Sequence, residues 1–366
     1  MKLEIPREKI LEAVLTTERF SSKHVSLPIL SSVLFTASGN MLVVKATNLD
    51  VGIEFSIPVK NLSGEWSFAV SPQSLKSFLS NVSEKNVVLE YNENVLTVST
   101  TESSAKLMVT PSDDFPIIPR VSEGNRFTIS GELFTGGVNS VIYSASLSSI
   151  KPELSSVYIY PSAEEVVFVA TDSFRLSEKR IKMPKNNIKE SILLPQKNTI
   201  EISKVLGEVN GEIEVVASKN QVSFEVENIY ISSRAVDGVF PDYKQIIPKE
   251  FATEVVVLKE DLAKALKLTS GFIDSYQQVV FSVSPGKKQI TLKTKSGAQG
   301  EASQTIHATG NGEELTITFN HRYLADCLQS IKSESVAIKL VGANKPVIIT
   351  ESSHPSFTYL VMPMNR

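Results

Sequence analysis

One cysteine, Cys327, and one tryptophan occur in 366 residues. A single thiol excludes an internal disulfide framework, and Cys327 reads as core. Histidine is also scarce: His24, His307, His321 and His354 lie far apart, so no Cys/His spacing suited to a metal is present and no metal or other cofactor is expected. No apolar run approaches the ~18–20 residues that a spanning helix needs. The opening MKLEIPREKI carries charges where a secretory signal has its apolar centre. Both absences point to a cytoplasmic protein with no membrane partner. Neither sign of charge prevails, since 37 Lys and Arg face 40 Asp and Glu for a net charge of −3. That balance argues against a protein that reads base sequence through a broad basic face. It leaves room for one whose basic residues gather on one surface and acidic ones on another.

What is present suits a folded chain: 42% hydrophobic and 21% charged residues, with a length that predicts two or three domains. The main feature is an internal repeat. LEIPREKILEAVL (3–15), FTISGELFTGGVNSV (127–141) and VVVLKEDLAKALKL (255–268) each pass from an alternating stretch into a helical one. Ile10, Val14 and Leu15 supply the apolar stripe in the first copy, and Leu262, Ala265 and Leu266 in the third. A second helix follows a strand in SFAVSPQSLKSFLSNV (67–82), ILLPQKNTIEISKVL (192–206) and TITFNHRYLADCLQSI (316–331), with Ser71 and Pro72 as capping hydroxyl and first-turn proline. Strands with period-two alternation close each copy, and Asn92–Asn94 and Ser218–Asn220 supply hairpin turns. Corresponding positions keep their spacing: Phe127 stands 124 residues after Leu3, and Pro195 stands 123 after Pro72.

DDFPIIPR (113–120) and VFPDYKQIIPK (239–249) suit linkers, because their prolines stop strands and helices. Domains at 1–121, 122–250 and 251–366 are therefore expected. The fold class is α+β, with each domain setting two helices against antiparallel sheet.

VATDSFRLSEKRI (169–181), LPILSSVLF (27–35), ATNLDVGIE (46–54), VDGVFPDYKQIIPK (236–249) and YLVMPMNR (359–366) together resemble the bacterial DNA sliding clamp family, the β subunits of DNA polymerase III. The resemblance runs from the first residue to the last. It implies a non-enzymatic processivity factor of DNA replication, in which two chains join head to tail as a homodimeric ring around duplex DNA. Helices line the inside of such a ring and continuous sheet the outside. The implied partners are duplex DNA, bound without sequence preference, replicative and repair DNA polymerases, the clamp loader complex and other proteins with a clamp-binding motif. An ATP-driven loader, not this chain, would open the ring.

For DNA the resemblance singles out Lys23 and His24 after the first helix, Lys151 before the central signature, Lys197 at the start of a second helix and Arg322 at its third-copy equivalent. A helix start favours an anion. Gln196 stands where relatives often carry a basic residue. For partner peptides it implies an apolar pocket formed by Leu154, Thr171, Ser173, Arg175, Leu176, Pro241, Gln245, Ile246, Val361 and Met362, with Arg175 and the backbone holding polar groups. Gln245, arginine in some members, and the ending Asn365-Arg366 depart from the pattern and bear on peptide preference. For the subunit contact it implies the strand Ala105 to Val109, with Leu107, against a segment near Phe272 and Ile273.

Two other readings stand beside this one. An enzyme around Thr171-Asp172-Ser173 has no histidine nearby in sequence and no nucleophile elbow, and Gly342-Ala343-Asn344-Lys345 lacks the first glycine and terminal hydroxyl of a phosphate loop. An adaptor could use the same repeats with no DNA in its pore.

Overall fold

The structure is a computed structural model that describes residues 2–22, 27–60, 62, 64–183, 187–353 and 356–364. Its first repeat runs β1 (Lys2–Pro6), α1 (Arg7–Glu18), β2 (Val33–Ser38), β3 (Met41–Thr47), β4 (Val51–Pro58), β5 (Trp66–Val70), α2 (Pro72–Asn81), β6 (Asn86–Asn92), β7 (Val95–Ser99) and β8 (Ser104–Pro111). The second runs β9 (Asn125–Ser130), α3 (Gly131–Val141), β10 (Ser156–Ser162), β11 (Glu165–Thr171), β12 (Arg175–Lys182), β13 (Ile192–Pro195), α4 (Gln196–Gly207), β14 (Glu212–Ala217), β15 (Gln221–Val226) and β16 (Ile229–Arg234). The third runs β17 (Thr253–Leu258), α5 (Lys259–Thr269), β18 (Gln278–Ser284), β19 (Gln289–Ser296), β20 (Gly300–His307), β21 (Thr309–Gly312), β22 (Leu315–Asn320), α6 (His321–Cys327), β23 (Ser335–Leu340), β24 (Val347–Glu351) and β25 (Phe357–Val361).

Strand order repeats with the sequence. The opening strand of each repeat lies beside the strand that follows the second helix, giving β1-β6-β7-β8, β9-β14-β15-β16 and β17-β23-β24-β25. The remaining strands give β5-β2-β3-β4, β13-β10-β11-β12 and β22-β18-β19-β20, with β21 added beside β17 in the third repeat. Among the described residues every pairing is antiparallel, in the hairpins and in the pairings of non-consecutive strands alike. The α+β, three-domain class expected from the sequence is the one observed.

The repeats do not end where their linkers do. β4 pairs with β16 over five residues, Val51↔Ser233 to Phe55↔Ile229. β12 pairs with β25 over five, Arg175↔Val361 to Lys179↔Phe357. Sheets of 12 and 9 strands result, besides one of 4. The chain accordingly forms two compact units, Met1–Glu132 with Lys197–Ala235 and Leu133–Gln196 with Val236–Arg366. Division at 121 and 250 follows the covalent linkers; the compact units cut through the middle repeat, because backbone hydrogen bonding carries each of its sheets into a neighbour.

Local chemistry explains the elements. Leu3 and Ile5, Phe127 and Ile129, and Val255 and Val257 are the buried members of the three opening strands, as alternation demands. In α1 the buried stripe is Ile10, Ala13, Val14 and Thr17, and Leu15 is 38% exposed. The expected place for Leu15 was one position off the face set by 3.6 residues per turn. Near the end of each first helix a hydroxyl turns back on the preceding turn: Thr17 to the Ala13 carbonyl at 2.7 Å, Ser140 to Gly136 at 2.6 Å and Thr269 to Ala265 at 2.9 Å. Ser71 caps α2 by accepting from the Ser74 N–H, with Pro72 at the first turn. Among the described residues no helix is long and apolar enough to cross a membrane.

Two outcomes follow from the cores. Gly137 lies so close to Phe168 that an added Cβ would stand 2.4 Å from the ring. Gly137→Ala should therefore cost about 1–3 kcal/mol through overpacking, read as a lower midpoint in urea unfolding. Cys327 is fully buried and burial pushes its thiol pKa up. It should resist a thiol reagent such as DTNB in the native protein and react once per chain only on unfolding.

Candidate functional site

The segment Thr171–Leu176 begins as a turn whose chemistry is visible twice. At Thr47-Asn48-Leu49-Asp50-Val51 the Thr47 hydroxyl donates to the Val51 carbonyl at 3.0 Å and accepts from the Leu49 N–H at 3.1 Å. Asn48 Oδ1 accepts from the Asp50 and Val51 N–H groups at 3.0 and 2.9 Å. At Thr171-Asp172-Ser173-Phe174-Arg175 the Thr171 hydroxyl donates to the Arg175 carbonyl at 2.7 Å and accepts from the Ser173 N–H at 3.1 Å. Asp172 Oδ1 accepts from the Phe174 and Arg175 N–H groups, both at 2.9 Å. Leu49 and Ser173 each take φ 77°, a left-handed conformation costly for non-glycine residues and held here by that hydrogen bonding. The Thr-Asx signature thus encodes a turn that launches the strand used for pairing at the joint.

After the turn, β12 alternates. Leu176 lies opposite Leu360 on β25. Both belong to a buried cluster with Val167, Val169, Leu193, Phe240, Tyr243 and Ile348, rimmed by half-buried Val236, Ile247 and Met362. Arg175 lies opposite Val361, and Val361 is buried among the core of the third repeat with Ile349 and Tyr359. The expected pocket residues therefore divide between two faces of one sheet. Leu176 and Met362 share a face with Leu360, which was missed. Period two along Tyr359-Leu360-Val361-Met362 carries that signal, since it puts Leu360 with Met362 and sets Val361 apart.

The remaining pocket residues fall at the rim or beneath it. Pro241, Gln245 and Ile246 are exposed on the segment that crosses this face, with Gln245 donating to Asp242 at 2.6 Å. The Met362 N–H donates to the Phe174 carbonyl at 2.8 Å, and the Phe174 side chain is 63% exposed. Leu154 is buried in the turn before β10, its carbonyl accepting from the Ser146 N–H at 2.8 Å. Phe240, Tyr243 and Ile247 also escaped the sequence reading, because nothing in a linker pattern says which side chains turn inward.

Arg175 is committed elsewhere. Its Nε donates to Asp172 at 3.0 Å, Nη1 to Asp326 at 2.7 Å and Nη2 to the Tyr143 carbonyl at 2.5 Å, with the guanidinium 4.3 Å from the Tyr323 ring centre. It forms the base of a cleft of ≈ 830 Å³ that Phe174, Arg322, Tyr323 and Asp326 also line. Arg175, expected to hold a ligand's polar groups, spends three donors on its own chain and ties the turn before β12 to α6.

Lys151 is exposed in a turn, and Lys197 is exposed as the second residue of α4. Arg322, the second residue of α6, has a side chain 74% exposed and lies 3.7 Å from Asp326. Asn320 caps α6 by accepting from the Arg322 and Tyr323 N–H groups at 3.0 and 3.3 Å. An anion there would meet the Arg322 side chain, since the helix-terminal donors are engaged. Lys23, His24, Asn365 and Arg366 lie outside the described residues.

Leu107 is half-buried on β8 and its neighbour Met108 is 76% exposed. Ser104–Met108 pair with β7, and only Val109–Pro111 pair with β5. Among the described residues the other edge of Ser104–Met108 carries no strand. β20 likewise pairs with β19 alone. Phe272 closes a short 3-10 turn, Ser270–Phe272, and Ile273 follows it, both half-buried. Among the described residues β20 is therefore an open edge of the third repeat, and the segment at Phe272 and Ile273 is not part of it.

The family models for the DNA polymerase III beta subunit match along the chain: the N-terminal domain over residues 1–119, the central domain over 128–242 and the C-terminal domain over 244–365. A beta sliding clamp of Staphylococcus epidermidis is 25% identical over 374 residues, covering 100% of this chain and 99% of the relative. One of Staphylococcus aureus is 24% identical over 373 residues with the same coverage. In structure, the DNA polymerase III β subunit of Pseudomonas aeruginosa superposes with a TM-score of 0.93 at 23% identity, each chain covered in full. That of Thermotoga maritima gives 0.93 at 25%, covering 100% of this chain and 99% of the other. With all three domain models matched in order over nearly the whole length, the chain belongs to the bacterial DNA polymerase III β-subunit family.

Proposed function

We propose that this chain is a DNA sliding clamp, a processivity factor for the replicative polymerase that closes head to tail with a second copy around duplex DNA and offers partner peptides a pocket beside Leu176. It is not an enzyme: the family holds polymerases on DNA without doing chemistry. Unfinished strand pairing carries the reading. Twice within the chain the edge strand of one repeat's second sheet joins the edge strand of the next repeat's first sheet, as β4–β16 and as β12–β25. The third instance of that rule would join β20 to β8, and both edges are open. Open edges of this length favour pairing with another chain.

A second copy satisfies both edges by the rule already used. Turns at 48–50, 172–174 and 297–299 precede β4, β12 and β20, so by register Gly300 would oppose Met108 and Gln304 would oppose Ser104 of the other copy. Leu107, Phe272 and Ile273 would supply apolar contact beside this ladder. Such a heterologous contact either closes or grows into a filament; the family's form is the closed dimer. The functional domains would be 1–121, 122–250 and 251–366.

Inside the ring the contacts would be to phosphates, weak and indifferent to sequence. Lys151, Lys197 and Arg322, with Lys23 and His24, are the residues put forward. On the pocket side, Leu176 and Leu360 form a floor, and Pro241, Ile246 and Met362 an adaptable apolar rim. Replicative and repair polymerases, the clamp loader complex and other clamp-binding-motif proteins would share it in the cytoplasm at the replisome. No cofactor is needed.

Light scattering should give the mass of two chains, and Leu107→Asp should shift it toward one. After loading, the protein should stay on closed circular DNA and run off the same DNA once cut. A two-chain protein lost equally from both forms would support the adaptor reading and sink the clamp.

A further inference from the structure

We infer that Tyr243, through its bond to the buried carboxylate of Glu178, is the positioning residue of the partner pocket; the inference rests on the pocket reading above. The wall that carries Pro241, Gln245 and Ile246 contains no strand and only the short 3-10 turn Tyr243–Ile246. Side chains hold it on the sheet. Phe240 stacks on Tyr158 with ring centres 4.7 Å apart and planes at 9°. Tyr243, 5% exposed, donates its hydroxyl hydrogen to Glu178 Oε2, and its oxygen lies 2.8 Å from the Tyr160 hydroxyl.

Glu178 is 6% exposed and is fixed in turn, accepting from Arg180 Nε at 2.7 Å, while Arg180 Nη1 reaches Glu165 at 3.1 Å. It sits two residues along β12 from Leu176, on the same face. One strand face therefore carries both the pocket floor and the anchor of its wall. Burial first, and then the bond to Glu178, push the Tyr243 pKa far up, so the hydroxyl remains a donor at any physiological pH.

The first joint repeats the device with other chemistry. Glu54, the fourth residue of β4 as Glu178 is of β12, is also 6% exposed. It takes Arg120 from the first linker and Lys45 at 3.1 Å. A buried glutamate at this position thus grips the linker at both joints. At the second joint the gripped residue is Tyr243, which lies in Asp242-Tyr243-Lys244-Gln245, a stretch that FPIIP (115–119) lacks and FPDYKQIIP (240–248) has. The grip on Tyr243 then decides where Ile246 stands over the floor.

The test is fluorescence anisotropy with a fluorescein-labelled synthetic peptide bearing two leucines and a phenylalanine, matched to an apolar floor of this kind. Tyr243→Phe keeps the ring and removes the donor; it should weaken binding about five- to tenfold, mainly through faster dissociation. Glu178→Ala should match it. Glu178→Gln keeps an oxygen facing the hydroxyl and should bind within about twofold of the unaltered protein. Hydrogen exchange across 239–247 should rise in Tyr243→Phe. Glu54→Gln should lower the melting temperature and leave peptide affinity unchanged, which separates wall positioning from general loss of stability. Tyr243→Phe binding as tightly as the unaltered protein, or Glu54→Gln weakening it equally, would overturn the inference alone. An unaltered protein that binds no such peptide would overturn the pocket itself.

Discussion

Backbone pairing across the joints is the constraint on which the rest of this molecule depends. Each repeat taken alone would leave the edges used at the joints open, a standing invitation to aggregate. The chain closes them in a fixed sense: second sheet of one repeat to first sheet of the next, through β4–β16 and β12–β25. That sense has a direction, and direction makes the two ends of the chain different from each other and complementary. A head-to-head contact would bring two like edges together, β8 to β8 or β20 to β20. Only head-to-tail contact reproduces the pairing that the chain already uses internally.

The same joints show how one scaffold yields a pocket at one place and a plug at another. At the first, β4 has Gly52 where β12 has Leu176, and the Ile118 side chain lies so close that a Cβ on Gly52 would stand 2.9 Å from it. A short linker, Phe115-Pro116-Ile117-Ile118-Pro119, drops its own isoleucine onto the strand, leaving a cleft of ≈ 270 Å³. The longer second linker turns Phe240, Tyr243 and Ile247 against the apolar cluster on the sheet and leaves Ile246 50% exposed. Linker length and one glycine separate a joint plugged by Ile118 from one crossed by Phe240 and Tyr243.

Much of this was legible in the sequence because it rests on local rules. Alternation gave the opening strands, the Ser71-Pro72 pair marked a helix start, and Asn92–Asn94 marked a hairpin. Leu15 was misplaced because neighbouring apolar residues blur a stripe that only 3.6-residue geometry resolves. Other features are not local. The alternate faces of Leu176 and Arg175 follow from period two, but what each face meets depends on β25, far along the chain. Phe272 and Ile273 entered through the family resemblance, whereas an open edge such as β20 is defined by a missing neighbour, which no single segment records. The capture of Arg175 by Asp172, Asp326 and the Tyr143 carbonyl joins three separate elements and has no sequence signature at all.

Charge completes the argument. A ring held on DNA by topology has no need of tight contact, and tight contact would oppose sliding. A near-neutral chain with a few mobile basic side chains meets that demand better than a strongly basic one, because each phosphate neutralised adds affinity that every step must partly surrender. Arg322 illustrates the moderation: its guanidinium is exposed, yet Asp326 stands 3.7 Å away. The same carboxylate holds buried Arg175 at 2.7 Å. Asp326 therefore stands beside an exposed guanidinium and neutralises one sealed beneath the cleft, so the start of α6 and the turn that launches β12 share a single counter-ion.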